Sequence, residues 1–152
     1  MAKSKGAPTG APRALSHIGI AVRSIDSTLG FWQGAMGLSL EHVEEVESQK
    51  VRVAFLPLGD TRIELLEPTS PESPVARFIE KRGEGLHHLA FEVDSAAAGL
   101  RSAKGRGIEL IDSAPRAGAR GCLVAFLHPK SCHGVLVEFV EEPAGKGRKG
   151  TN

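Results

Sequence analysis

The feature that most constrains this chain is that it repeats itself. Leu15-Ser16-His17-Ile18-Gly19-Ile20-Ala21-Val22 is matched by Leu86-His87-His88-Leu89-Ala90-Phe91-Glu92-Val93. About twenty residues further on, Gly37-Leu38-Ser39-Leu40 is matched by Gly107-Ile108-Glu109-Leu110. Each copy closes on a related segment, Arg62-Ile63-Glu64-Leu65-Leu66-Glu67-Pro68 in the first and Leu136-Val137-Glu138-Phe139-Val140-Glu141-Glu142-Pro143 in the second. Internal periodicity of this kind means one supersecondary unit used twice, each copy leaning on the other for its core. A chain of 152 residues has room for two such units in one domain of ordinary size.

Hydrophobic patterning gives each unit the order β-α-β-β-β, an α+β class of fold. The His-bearing segments alternate as strands. A helix follows in each copy, capped by Ser24 or Asp26 in the first and by Asp94 or Ser95 in the second. In the first helix Leu29, Trp32 and Met36 are expected on one face, with Gly37 as terminator. Strands at 39–46, 51–58 and 62–68 complete module 1, with a tight turn at Leu58-Gly59-Asp60-Thr61. In module 2 a strand is expected near Gly107-Ile108-Glu109-Leu110, and strands at 122–127 and 135–140 flank the loop 128–134. The boundaries are therefore 14–68 for module 1, 69–85 for a linking helix carried by Val75, Phe78 and Ile79, and 86–142 for module 2. Residues 1–13 (basic, without acidic groups, rich in Pro, Gly and Ala) and the Gly- and Lys-rich 143–152 read as disordered tails.

Residues two apart in a strand share a face. His17 thus lies beside Gly19 and Ala21, and His88 beside Ala90, so small neighbours leave a hollow next to each imidazole. Glu64 and Glu138 each sit mid-strand between large apolar residues. A carboxylate there must be paired, protonated or bound to a cation, because bare burial costs several kcal/mol. One His and one Glu from each copy form a two-nitrogen, two-oxygen set suited to Co²⁺, Zn²⁺, Mn²⁺, Ni²⁺ or Fe²⁺. On a six-coordinate ion, His17, Glu64, His88 and Glu138 would leave two positions for a substrate. Alignment of the copies selects His88 over His87 as the partner of His17.

The remaining polar residues read blandly. His42 belongs to a charged strand, His128 and His133 flank a loop, and Glu44-Glu45 is a wet face. Cys122 and Cys132 read as a small core residue and a loop thiol, too few for a disulfide framework and in keeping with a reducing compartment. Lys plus Arg total 19 against 18 Asp plus Glu, so no bulk field draws nucleic acid or an anionic membrane. The chain has no Tyr and one Trp, which leaves no stacking platform for bases.

The His…Glu…His…Glu order over 14–142 resembles the vicinal oxygen chelate, or glyoxalase-like, superfamily. Within it the segments 15–22, 56–68, 83–94 and 126–138 resemble the methylmalonyl-CoA epimerase family, and His128-Pro129-Lys130-Ser131 ahead of Gly134-Val135-Leu136-Val137-Glu138 carries that resemblance most specifically. The resemblance implies paired βαβββ modules curling into a cup around one divalent ion per chain, most often Co²⁺, with His17, Glu64, His88 and Glu138 as ligands. It implies an enzyme that interconverts the C2 epimers of an acyl-CoA, with Glu138 doing acid–base work. Lys130, Ser131 and the amides of the Gly118–Gly121 loop are expected at the substrate, with Arg116, Arg120 and Lys104 as lesser expectations at the nucleotide phosphates. It implies a homodimer and, for a chain of this kind, a cytoplasmic location, or the mitochondrial matrix in a eukaryote. The family's second acid–base carboxylate falls on the strand before the Glu64 strand, where this chain has Arg52, with Glu47 nearby. A glyoxalase I-type lyase and a metal-free binding protein are the alternatives on the same scaffold.

Overall fold

The computed structural model describes residues 10–145 and contains one eight-stranded mixed sheet. Module 1 supplies β1 (Ala14–Ala21), α1 (Ile25–Leu29), β2 (His42–Val46), β3 (Val51–Leu58) and β4 (Thr61–Pro68). Helix α2 (Pro74–Arg82) links it to module 2, which supplies β5 (Gly85–Glu92), α3 (Ala96–Gly105), β6 (Arg116–Ala117), β7 (Leu123–Leu127) and β8 (Val137–Glu141). The strand order is β2-β3-β4-β1-β5-β8-β7-β6. Each module pairs its first strand in parallel with its last, β1 with β4 and β5 with β8, and the two first strands meet antiparallel at the centre. The repeat seen in the sequence is thus a repeat of pairing, and the seam between its copies runs down the middle of the sheet.

Local chemistry sets the helices. The Ser24 and Ser95 hydroxyls accept the amide hydrogens of Ser27 and Ala98, satisfying donors left open at the starts of α1 and α3. Ser73 does the same for Val75, Pro74 occupies the first turn of α2, and Gly83 closes the helix in the left-handed region. The sheet has two faces with separate packing. Ile18, Ile20, Val22, Ile63 and Leu65 pack with Ile25, Leu29 and Trp32 under the first helix, while Val93, Leu100, Ala125, Leu127 and Phe139 pack under α3. On the opposite face Val51, Val53, Phe55 and Leu66 pack with Val75 and Ile79 of α2. That face also carries the polar residues expected at the site.

β2 begins at His42 rather than 39 and β8 at Val137 rather than 135, and two other expected elements differ more. Helix α1 continues as a π-helical turn, Gly30–Ala35, whose wider winding breaks the 3.6-residue register; Leu29 and Trp32 stay on the core while Met36 is 54% exposed. The strand expected at Gly107–Leu110 is reduced to a single bridge between Leu110 and Leu127, followed by the two-residue β6. Its ladder is interrupted by a side chain: the Asp112 carboxylate takes the Phe126 amide hydrogen at 2.8 Å, where a regular edge strand would offer a carbonyl. Pro115, which has no amide hydrogen to give, then precedes β6.

The tails expected at 1–13 and 143–152 lie mostly outside the described residues. Gly10 to Arg13 and Pro143 to Gly145 are described, and the first of these belong to the fold. Gly10 crosses Gly99 of α3, where a Cβ on Gly10 would come within 2.4 Å of the Gly99 nitrogen. The Arg13 amide extends the sheet to the Glu92 carbonyl at 2.9 Å, and its guanidinium meets buried Glu92 at 2.7 Å and Asp94 beside it. Among the described residues no helix is long and apolar enough to cross a membrane.

Candidate metal centre

The central seam brings the repeat-matched residues together. β1 carries His17, its parallel neighbour β4 carries Glu64, and across the seam β5 carries His88 beside Glu138 of β8. All four are buried, at 3–6% exposure, in a protein whose other buried side chains are mainly apolar. The two imidazoles meet edge to face, with their Nε2 atoms 3.1 Å apart. One Glu138 oxygen lies 2.8 Å from His88 Nε2 and 3.5 Å from His17 Nε2. Two nitrogens and an oxygen thus converge, every donor atom within 4.8 Å of the others.

Glu64 stands one step back. Its Oε2 faces His17 Nδ1 at 2.9 Å and accepts from Arg62 Nε at 3.4 Å. In this geometry Glu64 orients the ring whose other nitrogen faces the cluster, and a side-chain rotation would be needed to bring it in as a fourth ligand.

The small neighbours expected of a hollow are there for a steric reason. A Cβ on Gly19 would sit 2.2, 2.4 and 2.8 Å from Cε1, Nδ1 and Nε2 of His88, so His88 occupies the space that a glycine leaves. Ala90 and Ala21, the small residues expected beside the two histidines, are fully buried. The remaining hollow, lined by Val46, Gln49, Val53, Arg62, Leu66 and Cys122 as well as the cluster, has room of about 20 Å³. That holds one water-sized occupant, or one ion.

The charges fit a cation. Burial alone works against an imidazolium at His17, but Glu64 and Glu138 together outweigh it and push its pKa up to about 10. Burial likewise opposes the Glu138 carboxylate, yet His88 and His17 hold it well below the usual range, and Glu64 is lowered in the same way by His17 and Arg62. Without an ion, positive charge is supplied to two buried carboxylates by a proton on His17. A divalent ion would take that proton's place, and the donor set (two imidazoles with carboxylates) suits a first-row transition metal. The site residues therefore fit the ion that the sequence pattern implied.

A strap covers the hollow. Gly118 to Gly121, with Ala119 and Arg120 on its lining, runs between β6 and β7 across to the other edge of the sheet. Arg120 adopts a left-handed conformation, φ 58°, and its amide donates to both Glu44 oxygens at 3.1 and 3.2 Å. Ser48 Oγ donates to the Ala117 carbonyl at 2.7 Å, and Arg116 donates to the Ser48 carbonyl at 3.0 Å. Glu44 is thus an anchor between sheet edges rather than a purely solvated group. Sequence reading missed it because the partner loop lies 76 residues away.

Arg120, in the strap, lines the hollow, and the other predicted residues fall elsewhere. Ser131 Oγ accepts the Glu109 amide at 2.9 Å, and Lys130, 78% exposed, approaches Glu109; both sit on the β7–β8 turn and neither lines the hollow. Arg116 pairs with Asp112 at 3.2 Å and Arg120 with Glu142 at 3.4 Å. Lys104, near the end of α3, lines a shallow depression with Leu100 and Pro115. Arg52 pairs with Glu67 on the neighbouring strand at 3.0 Å, and Glu47 opens the short turn whose Gln49 lines the hollow. His42 stacks on Phe55, with centroids 4.5 Å apart.

Comparison with known proteins agrees with this architecture. Residues 16–126 match the model of the Glyoxalase/Bleomycin resistance protein/Dioxygenase superfamily, and the chain belongs to it. The human mitochondrial methylmalonyl-CoA epimerase is 37% identical over 126 residues, 82% of this chain and 72% of its own. A solved methylmalonyl-CoA epimerase in complex with methylmalonyl-CoA and NH4+ superposes with a TM-score of 0.83 at 37% identity, covering 88% of this chain and 97% of that one. Within the superfamily the chain is thus a member of the methylmalonyl-CoA epimerase family. An uncharacterised Bacillus subtilis protein, YqjC, is 46% identical over 127 residues, 84% of this chain and 91% of its own.

Proposed function

We propose that the protein is a divalent-metal-dependent epimerase that inverts C2 of methylmalonyl-CoA by removing a proton from one face and returning one to the other. The observation that carries this reading is the convergence of His17, His88 and Glu138 on one buried point, with Glu64 fixing His17 from behind. His17, His88 and Glu138 would hold the ion, and Glu64 would complete the set on rotation. A bound ion of this kind supplies positive charge to the thioester oxygen as the enolate forms.

The chain's own residues do the rest. Glu138, held ionised by two imidazoles, stands beside the cluster as the carboxylate we assign to take or return a proton. An inversion needs a second proton carrier on the opposite face. Glu47 is the carboxylate we assign there: its turn borders the hollow next to Gln49, and the Gly118–Gly121 strap anchored at Glu44 and Ser48 hangs over the same side. The hollow as it stands is smaller than an acyl group, so the strap moves aside for substrate and closes again to exclude water. We assign Co²⁺ as the ion, the cytoplasm as the compartment, a homodimer as the assembly, and Lys130 and Ser131 with the strap amides as contacts to the thioester arm.

The test is exchange of the C2 hydrogen of methylmalonyl-CoA in heavy water, followed by NMR with Co²⁺-loaded protein. Washout of the C2 proton that disappears in Glu138→Gln supports the reading. No exchange by fully loaded protein removes it and leaves a lyase of the same scaffold as the next reading to assay.

A further inference from the structure

A β-bulge sits immediately before each ligand histidine. Pairing of β1 with β5 steps from Leu15↔Phe91 to His17↔Ala90, leaving Ser16 as an extra residue, and from Gly19↔His88 to Ile20↔Leu86, leaving His87 as another. In a regular strand, neighbours in sequence point to opposite faces and their side chains do not meet. A bulge removes that restriction and re-aims the side chains around it. Here both extra residues reach the imidazole that follows them. Ser16 Oγ lies 3.0 Å from His17 Nδ1, and His87 Nδ1 lies 2.9 Å from His88 Nδ1.

The two copies differ in what else holds the ring. His17 Nδ1 also faces the Glu64 carboxylate, whereas His88 Nδ1 faces the ring of His87. The metal-facing nitrogen of His88 is Nε2, as its contacts with Glu138 and His17 show. A histidine that gives its Nε2 lone pair to an ion carries its proton on Nδ1, and that N–H needs an acceptor in a buried site. His87 Nδ1 is placed to accept it, which puts the His87 proton on Nε2. The His87 ring is itself held edge to face against Phe78 of α2, centroids 4.9 Å apart, so it cannot easily turn away.

We propose that His87 is a positioning residue for the metal centre: through the bulge before His88 it accepts the His88 Nδ1–H, and so fixes the tautomer and plane that present Nε2 to the ion. Ser16 plays the corresponding part for His17, shared with Glu64. The repeat thus preserves a bulge in both copies and varies the acceptor. The proposal rests on the metal half of the reading above and is independent of which acyl thioester reacts.

Two measurements test it. Long-range ¹H–¹⁵N correlation of the histidine rings in the full chain loaded with Zn²⁺ alone reports the tautomers directly. The expected result is His88 protonated at Nδ1 with Nε2 on the ion, and His87 protonated at Nε2. The second measurement is Co²⁺ binding, read by its visible d–d bands. His87→Leu is expected to weaken it roughly ten- to a hundredfold and to shift the bands, as losses of a ligand's hydrogen-bond partner do. His87→Asn, whose Oδ1 can stand near the position of Nδ1, is expected to recover most of the loss, and a plain packing role would not distinguish it from Leu. His88 bound through Nδ1, or His87→Leu binding Co²⁺ within about twofold of the unaltered chain, overturns the proposal. The tautomer spectrum uses the unaltered protein, so it decides the matter even if His87→Leu does not fold. An unaltered chain that takes up neither ion defeats the metal reading itself, while normal uptake with the wrong tautomer defeats this proposal alone.

Discussion

Adding one methyl group at Gly19 should separate metal binding from folding. Gly19 lies on the central strand, paired with Glu64 on one side and His88 on the other. Its φ is not in the left-handed region, so alanine is compatible with the backbone there and any effect is steric. The new Cβ would fall 2.2 Å from His88 Cε1, where ordinary contact begins at 3.4 Å, so the ring must retreat by about 1 Å. Overfilling a packed interior in this way costs about 1–3 kcal/mol, an expected fall in Tm of the metal-free protein of roughly 3–10 °C. A metal–nitrogen bond tolerates only about 0.2 Å of error, so the same retreat is expected to weaken Co²⁺ binding by at least about a hundredfold. Calorimetric titration with Co²⁺ and thermal unfolding by circular dichroism measure the two effects. Gly34→Ala, on the π-helical turn with open space around it, is the control and should change neither. If Gly19→Ala binds Co²⁺ within threefold of the parent, the claim that His88 occupies the glycine's space is wrong.

Other consequences are open to equally direct measurement. His17 has a folded-state pKa raised from 6.5 to about 10, so its proton stabilises the metal-free protein fully below pH 6.5 and that stabilisation is lost as pH rises through 10; Tm of the metal-free chain should fall from pH 7 to 10, and less so in His17→Asn. Loading with Co²⁺ at neutral pH should release about one proton per chain, seen as a dependence of binding heat on buffer ionisation enthalpy, and a buffer-independent heat would refute the exchange of proton for ion. Burial first, and Glu142 second, push the Cys122 thiol up to about 12, so iodoacetamide at pH 8 should label half-buried Cys132 at least tenfold faster by peptide mass analysis. Glu44→Gln removes the charge that holds the Arg120 amide and should raise hydrogen exchange across 118–122 several-fold while leaving β4 unchanged.

Much of the site was legible because strand alternation is a rule about single residues. His17, Gly19, Glu64, His88 and Glu138 fall on the inner face by their spacing, and the repeat says which histidine of the His87-His88 pair corresponds to His17. Ser24 and Ser95, each one of two cap candidates, stand ahead of apolar runs, while the Ser73 cap of α2 shows only in the structure. What escaped reading depends on partners far along the chain or on departures from regular geometry. The bulges at Ser16 and His87 are visible only in the pairing register. The π-helical turn exposes Met36 because it adds a residue to the winding, which periodicity assumes constant. The missing strand near Leu110 turns on Asp112 capturing one amide of β7. Glu64 as a support behind His17 reflects a side-chain rotamer, which strand spacing does not set.

The antiparallel seam has a consequence for how such a chain holds together. Each half brings an imidazole and a carboxylate to the same join, so the four groups that want a cation are split evenly across the line where the duplicated units abut. Either unit taken alone would show water a lone His–Glu pair and a bare strand edge. An ion taken up at the join would act as a rivet between the halves, and tightness of binding and resistance to their parting would then be a single quantity seen from two sides.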